Sequence, residues 1–174
     1  LMIMQLFDSH CHLDDEKFDL DRAEAIARMR EAGVTRCTCV GSDLPSSRRC
    51  LDLAQQYDFI YAAAGVHPHE AKEADGFREE QLDDFARWLQ DPKIVGVGEI
   101  GLDYYYDFSP RDIQKQVFSE QLELAWQLDV PVILHIRDAH GDAYDMLRAR
   151  ADRLPQGVIH CCSASAELVR EYIK

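Results

Sequence analysis

A parallel α/β barrel of the TIM type, (β/α)8, with about its first six βα units present, is the fold class that this sequence predicts. Three observations predict it. Short apolar runs alternate with segments of helical period along the whole chain. The turn after the first run, "DSHCHLDDEKF", holds no glycine, which argues against the glycine-rich phosphate loop of a doubly wound dinucleotide-binding sheet. Polar residues recur at the carboxyl ends of several runs, where a parallel barrel opens its mouth.

The elements follow in order. Gln5–His10 is the first strand. In the helix after it Ala23, Ile26, Ala27 and Arg30 share a face, and Gly33 stands where a C-terminal cap belongs. Thr35–Val40 is the second strand, and Ser46, after Pro45, begins the second helix. Ile60–Gly65 is the third strand. Leu82, Phe85, Ala86 and Leu89 fall at i, i+3, i+4 and i+7, one helix face. Ile94–Glu99 is the fourth strand, and Ile113, Val117, Leu122, Ala125 and Leu128 trace an apolar stripe across Arg111–Leu128. Val132–His135 and Gly157–His160 complete the six, with "AELVREYIK" as the sixth helix. A closed barrel has eight units and around 250 residues. The 174 residues therefore read as a single barrel domain over 1–174 that lacks its C-terminal βα units.

Composition narrows the function. Apolar residues make up 47%, enough for a core. Acidic residues outnumber basic ones 32 to 19, a formal charge of −13, which excludes a passive nucleic-acid coat or an anionic-membrane binder. A cation bound in a cleft still reverses that sign locally. The six cysteines (Cys11, Cys37, Cys39, Cys50, Cys161, Cys162) include no C-x-x-C pair, so reduced, mostly buried thiols in a cytoplasmic protein are expected. "LMIMQLF" lacks the length, basic flank and cleavage site of a signal peptide. No stretch approaches the roughly 20 apolar residues of a membrane span.

The strand ends carry the chemistry. His10 and His12, two apart in a strand, point to one face, while Cys11 points away and Asp8, of the same parity, is placed to steady a ligand histidine. "KIVGVGEIGLD" puts Val95, Val97 and Glu99 on one face with the carboxylate last. "PVILHIRD" does the same with Ile133 and His135, and "GVIHCCS" with Val158 and His160. Each polar residue alone reads as a satisfied buried group; four on one rim read as donors to a cation. Imidazoles with a carboxylate suit zinc, manganese and similar metals, and a lone carboxylate among histidines can bridge two ions. A carboxylated lysine is the other known bridge in such barrels, but Lys93 lies at the wrong end of its strand, leaving Glu99. Two ions about 3.5–4 Å apart would position a hydroxide and stabilise charge on a reacting phosphate or carbonyl.

The blocks "DSHCHLD", "GVHPHEA", "GEIGLDYYYD", "PVILHIRDA" and "IHCCSAS", in this order and spacing, resemble the TatD family of metal-dependent deoxyribonucleases over nearly the whole chain. The resemblance implies a (β/α)8 barrel, two divalent metal ions (Mg, Mn or Zn) and hydrolysis of DNA phosphodiesters from the 3′ end. It implies that His10 and His12 bind one ion, that Glu99 bridges, and that His135 and His160 bind the second ion, with Glu99 and His135 as the catalytic pair. Two departures stand out. Cys162 and Ala164 occupy positions where the family has an aromatic and a glycine in "H-C-F-S-G". The family's later E-T-D motif, whose Asp completes the first metal site, has no counterpart here, so either the protein continues past Lys174 or this is a curtailed form.

The softer candidates keep two readings. By spacing alone His67 and His69, separated by Pro68, read as structural or surface residues; the resemblance places His67 near the substrate phosphate. Arg137 reads as a bidentate phosphate fork or as a salt bridge to Asp138 or Glu99. Asp103 supports the metal ligands or caps a loop. Of "YYY" at 104–106, one ring, assigned to Tyr104, offers a stacking surface for a base. His140 reads as a solvated loop residue, and the acidic run of residues 69–84 as a solvated face and helix start. The expected function is a monomeric cytoplasmic exonuclease on single-stranded DNA ends. The alternatives are a two-metal hydrolase of a small lactone, amide or phosphoester, and an inactive truncated barrel serving as an interaction module.

Overall fold

Six parallel strands form one sheet in the order of the sequence: β1 (Leu6–Cys11), β2 (Val34–Val40), β3 (Ile60–Ala64), β4 (Ile94–Asp103), β5 (Val132–Arg137) and β6 (Gly157–Ile159). The structure, a computed structural model, describes residues 4–74 and 79–174. Parallel neighbours need crossovers, and helices supply them: α1 (Arg22–Glu31), α2 (Leu44–Gln56), α3 (Ala71–Ala74), α4 (Glu79–Trp88), α5 (Arg111–Gln127) and α6 (His140–Arg148), with α7 (Ala166–Tyr172) after β6. Residues 75–78 of the acidic run lie outside the described residues.

The sheet has two faces with different packing. Toward the helices, Cys37, Cys39, Ala62, Ile100, Leu102 and Leu134 pack against Leu51, Phe85, Phe118 and Leu122 in the main core. On the inner face Val40, Ala63 and Ile133 form a small separate cluster. Their neighbours there, Phe7, Val95 and Val158, are exposed. The sheet curls strongly. His10 leaves β1 and His160 leaves β6, the two ends of the strand order, yet their rings stack with centroids 3.6 Å apart. This is a half-barrel whose carboxyl-end mouth gathers the strand-end side chains.

Several local expectations are corrected. Helix α2 begins at Leu44, because Asp43 is extended and its carboxylate accepts from the Ser46 N–H at 2.7 Å; Ser46 lies inside the first turn. In α1 the buried residues are Ala25 and Ile26 with Met29 half-buried, while Ala23, Ala27 and Arg30 face out. The larger side chains set the rotation there, and Arg30 lies over the Phe59 ring. Gly33 does end that helix, at φ +96°, which favours glycine. In α4 Phe85 is buried, as is Leu89 just beyond its end, but Leu82 is exposed.

Strand parity breaks in β1 and in β4. Pairing slips between Asp8 and Cys11, so Asp8 pairs with Cys37 and does not share the His10 face; its carboxylate accepts from the His10 main-chain N–H at 3.1 Å. In β4 the register slips at Ala62/Ala63 of its β3 partner and again between Val97 and Ile100. Val97 therefore joins the helix-side core and Val95 is exposed, while Glu99 reaches the mouth. The two-residue rule put Val95, Val97 and Glu99 on one face; the bulges overturn it. Gly101 is required beside them: its φ is +144°, and a Cβ would stand 2.0 Å from the His135 carbonyl oxygen.

Candidate metal centre

Two histidine groups meet at the mouth. Ligand atoms of His10, His12 and Glu99 all lie within 4.8 Å of one another, and so do those of His67, His69 and His135. Glu99, 5% exposed, joins the groups: its Oε2 stands 3.4 Å from His10 Nε2 and its Oε1 3.2 Å from His135 Nδ1.

Each ring is held by a second partner. His12 Nδ1 lies 2.9 Å from the Val40 carbonyl oxygen, which can only accept, so Nδ1 carries the proton and Nε2 is the atom free for a ligand. His135 Nε2 lies 2.8 Å from Asp103 Oδ2, and His69 Nε2 lies 2.9 Å from the same oxygen. Asp103 is fully buried, and its Oδ1 accepts from the main-chain N–H groups of Tyr105 and Tyr106 at 3.0 and 2.9 Å. Asp103 thus caps the loop and holds two rings.

The protonation states follow from these contacts. Burial pushes the Glu99 carboxyl up, but the adjoining His10 and His135 rings outweigh it and hold the group well below the usual carboxylate range. Burial pushes His135 down, and its bonds to Glu99 and Asp103 outweigh that and raise it. Carboxylates flank both ring nitrogens of His135, an arrangement that favours its protonated form. Burial, reinforced by the neighbouring His135, lowers His67 to about 3, so it stays neutral. Its Nδ1 accepts from the His69 N–H at 3.1 Å at the start of the 3-10 turn Pro68–Glu70.

The donor set fits a divalent cation. His10 Nε2 is buried and has no hydrogen-bond partner among the described residues, although a carboxylate oxygen stands 3.4 Å away. An orphaned nitrogen beside a buried carboxylate and the free Nε2 of His12 form a concentration of lone pairs that a cation satisfies. Lys93, by contrast, donates to the carbonyls of Tyr57, Asp58 and Ile60 at the amino end of β4.

The other candidates fall as follows. His160 lines a cleft of about 530 Å³ with His67, Glu99, His135 and Arg137, its ring stacked on His10 and its Nε2 3.3 Å from Cys161 Sγ. His69, read by spacing as a structural or surface residue, lies in the second group and is held by Asp103. Pro68 starts a 3-10 turn that brings both histidines inward, and the H-x-H spacing is the one signal that marks it. Tyr104 is not the exposed ring of the three: it is half-buried and its hydroxyl donates to Asp142 at 2.6 Å. Tyr105 and Tyr106 are the exposed rings, with the Arg137 guanidinium 4.1 and 5.0 Å from their centroids. Arg137 makes neither of the two salt bridges considered for it, among the described residues. His140 is not a loop residue; it opens α6, with its Nδ1 3.2 Å from the Tyr172 hydroxyl and its Nε2 3.1 Å from Ser163 Oγ.

With this geometry in place, comparison with known proteins is decisive for the family. The sequence model of the family described as TatD related DNase matches residues 7–174. The chain belongs to the TatD family. It is 41% identical over 173 residues to the uncharacterised metal-dependent hydrolase YabD of Bacillus subtilis, covering 97% of this chain and 65% of YabD. It is 38% identical over 163 residues to the 3′-5′ ssDNA/RNA exonuclease TatD of Edwardsiella piscicida, covering 93% of this chain and 62% of that protein. The chain thus spans somewhat under two thirds of these TatD relatives. Among solved structures, the TatD homologue YjjV of Escherichia coli superposes with a TM-score of 0.85 at 33% identity, over 99% of this chain and 66% of YjjV. A TatD-family hydrolase of Entamoeba histolytica shares the fold, with a TM-score of 0.86 at 21% identity over 99% of this chain and 63% of that one.

Proposed function

We propose that this TatD-family protein is a two-metal phosphodiesterase that removes nucleotides from the 3′ end of single-stranded DNA, acting as a monomer in the cytoplasm. The observation that carries this reading is Glu99, a buried carboxylate that meets His10 through one oxygen and His135 through the other. His10 and His12 would hold one ion with Glu99, and His135 and His160 would hold the second with the same carboxylate. Magnesium, manganese and zinc all suit such a mixed set. Bound there, divalent ions supply a Lewis acid for the phosphate and lower the pKa of water.

The chain's own groups bind and orient the substrate. Val40 fixes the His12 tautomer, and Asp103 fixes the orientation of the His135 ring. With Nδ1 occupied, neutral His67 has its proton on Nε2, which suits donation to a non-bridging phosphate oxygen. Arg137 is exposed and unpaired by any carboxylate among the described residues, so its fork is free for a phosphate. Tyr105, Tyr106 and Phe108 are exposed beside it, and Tyr106 and Phe108 flank His69 with ring centroids 5.3 and 4.9 Å away. Such a patch stacks bases without reading their sequence. A strand end threaded past those rings reaches the metal groups despite the −13 net charge. The named activity of the Edwardsiella relative supports this substrate class.

The experiment is a 5′-labelled single-stranded oligonucleotide incubated with the protein and magnesium or manganese, with bis-p-nitrophenyl phosphate, lactone and amide panels in parallel. A ladder shortening from the 3′ end is expected. Absence of laddering in protein shown to carry metal refutes the nuclease reading.

A further inference from the structure

Behind the histidine mouth lies a second group of metal-binding side chains that the proposed reaction does not use. Asp14, Cys39 and Cys50 come from three segments: the loop after β1, strand β2 and helix α2. Their ligand atoms lie within 4.8 Å of one another. Both cysteines are fully buried and Asp14 is 5% exposed. We propose that this triad is a separate site for a thiophilic divalent cation of the zinc class, one that ties the loop carrying His12 to β2 and α2.

The distances fit such an ion. With zinc–sulfur bonds of about 2.3 Å and zinc–oxygen bonds of about 2.0–2.2 Å, tetrahedral geometry sets neighbouring donors about 3.5–3.8 Å apart. Cys39 Sγ lies 3.7 Å from Asp14 Oδ1 and 3.1 Å from Cys50 Sγ, so one edge already matches and the other opens by a rotation of a side chain. The carboxylate is oriented for the task. Ser46 Oγ donates to Asp14 Oδ2 at 2.5 Å, and Arg49 Nη2 stands 3.8 Å from the same oxygen. Oδ1 is left to the thiols alone, as a ligand oxygen is when its partner oxygen is held by neighbours.

Asp14 and Arg49 line a cleft of about 480 Å³ that also reaches His12 and Glu99, so the carboxylate side of the triad faces the mouth while both thiols lie buried behind it. Binding releases two thiol protons to solvent and leaves two thiolates and one carboxylate on the cation. The site adjoins the catalytic group through the main chain. Asp14 follows His12 by two residues, and Val40, whose carbonyl fixes the His12 ring, follows Cys39 directly. The role is structural: the ion would be held by three buried donors from three segments, with a water as its fourth ligand.

The test uses the whole chain carrying C161S and C162S, which removes the exposed thiols, titrated with Cd²⁺. Native mass gives the ion count, and ultraviolet thiolate-to-cadmium charge transfer identifies sulfur ligation; nitrogen and oxygen donors at the mouth give no such band. The expected result is one sulfur-ligated cadmium per chain, counted from the charge-transfer band at saturation, in addition to any ions held by the mouth. C39S or C50S, folded by circular dichroism, abolishes the band. D14N keeps both thiols and weakens the affinity about tenfold or more. Where a serine variant does not fold, thiol alkylation during a denaturant pulse decides, with Cys39 and Cys50 protected by Cd²⁺. Cadmium uptake without the band, a band undiminished in folded C39S and C50S, or equal alkylation with and without Cd²⁺ overturns the proposal.

Discussion

Replacing Asp103 tests the reasoning about the second histidine group most directly. The carboxylate is fully buried and serves four donors: two main-chain N–H groups at Oδ1 and two imidazoles at Oδ2. Asp103→Ala leaves the N–H groups of Tyr105 and Tyr106 without an acceptor, at about 1–3 kcal/mol each, or about 2–6 kcal/mol together. The His69 and His135 side chains are 23% and 20% exposed, so water takes over part of their bonding. Asp103→Asn keeps an oxygen for the two N–H groups and loses only the charge-assisted bonds to the rings, worth about 1.5–3 kcal/mol each before that water compensation. The expected losses are therefore about 2 kcal/mol for Asp103→Asn, from the rings alone, and about 4–8 kcal/mol for Asp103→Ala, which adds the two N–H groups. Urea unfolding of the metal-free chain at pH 6, with matched slopes, measures both. Equal destabilisation by the two variants, or a loss under about 1 kcal/mol for alanine, would refute the claim that this carboxylate anchors the loop and the rings.

Further outcomes follow from the same geometry. Glu99→Gln removes the buried negative charge between the two histidine groups and lowers the affinity for Mn²⁺ by about tenfold or more in calorimetric titration, as expected if Glu99 bridges two ions as proposed. The metal-free chain is most stable near pH 6.5, as thermal unfolding in a chelator will show. The raised His135 gives stability that is full below its unfolded value of 6.5 and fades as pH rises through its folded value; the lowered His67 and Glu99 lose theirs as pH falls below their unfolded values of 6.5 and 4.5. Adding metal removes the alkaline decline, and His135→Gln flattens it. Tyr106→Ala and Phe108→Ala each weaken binding of single-stranded oligonucleotide by about 1–3 kcal/mol in fluorescence anisotropy, whereas Tyr104→Phe leaves it unchanged.

Some of this architecture is local and therefore legible in the chain. Alternating apolar periods marked six strands and their helices, because burial on a two-residue or 3.6-residue repeat is a property of neighbours in sequence. The same logic put His10, Glu99, His135 and His160 at carboxyl strand ends, and five ordered blocks pointed to the family. Tertiary structure decided the rest. Register slips in β1 and β4 turned Asp8 and Val97 away from the faces that simple parity assigns, and carried Glu99 into the mouth. The turn after Pro68 drew His69 to Asp103, 34 residues away, and Tyr104 turned outward to Asp142 while Tyr105 and Tyr106 took the exposed positions. Bulges, turns and ring contacts depend on what lies across the sheet, and that neighbour is set by the fold of distant segments rather than by the residues on either side.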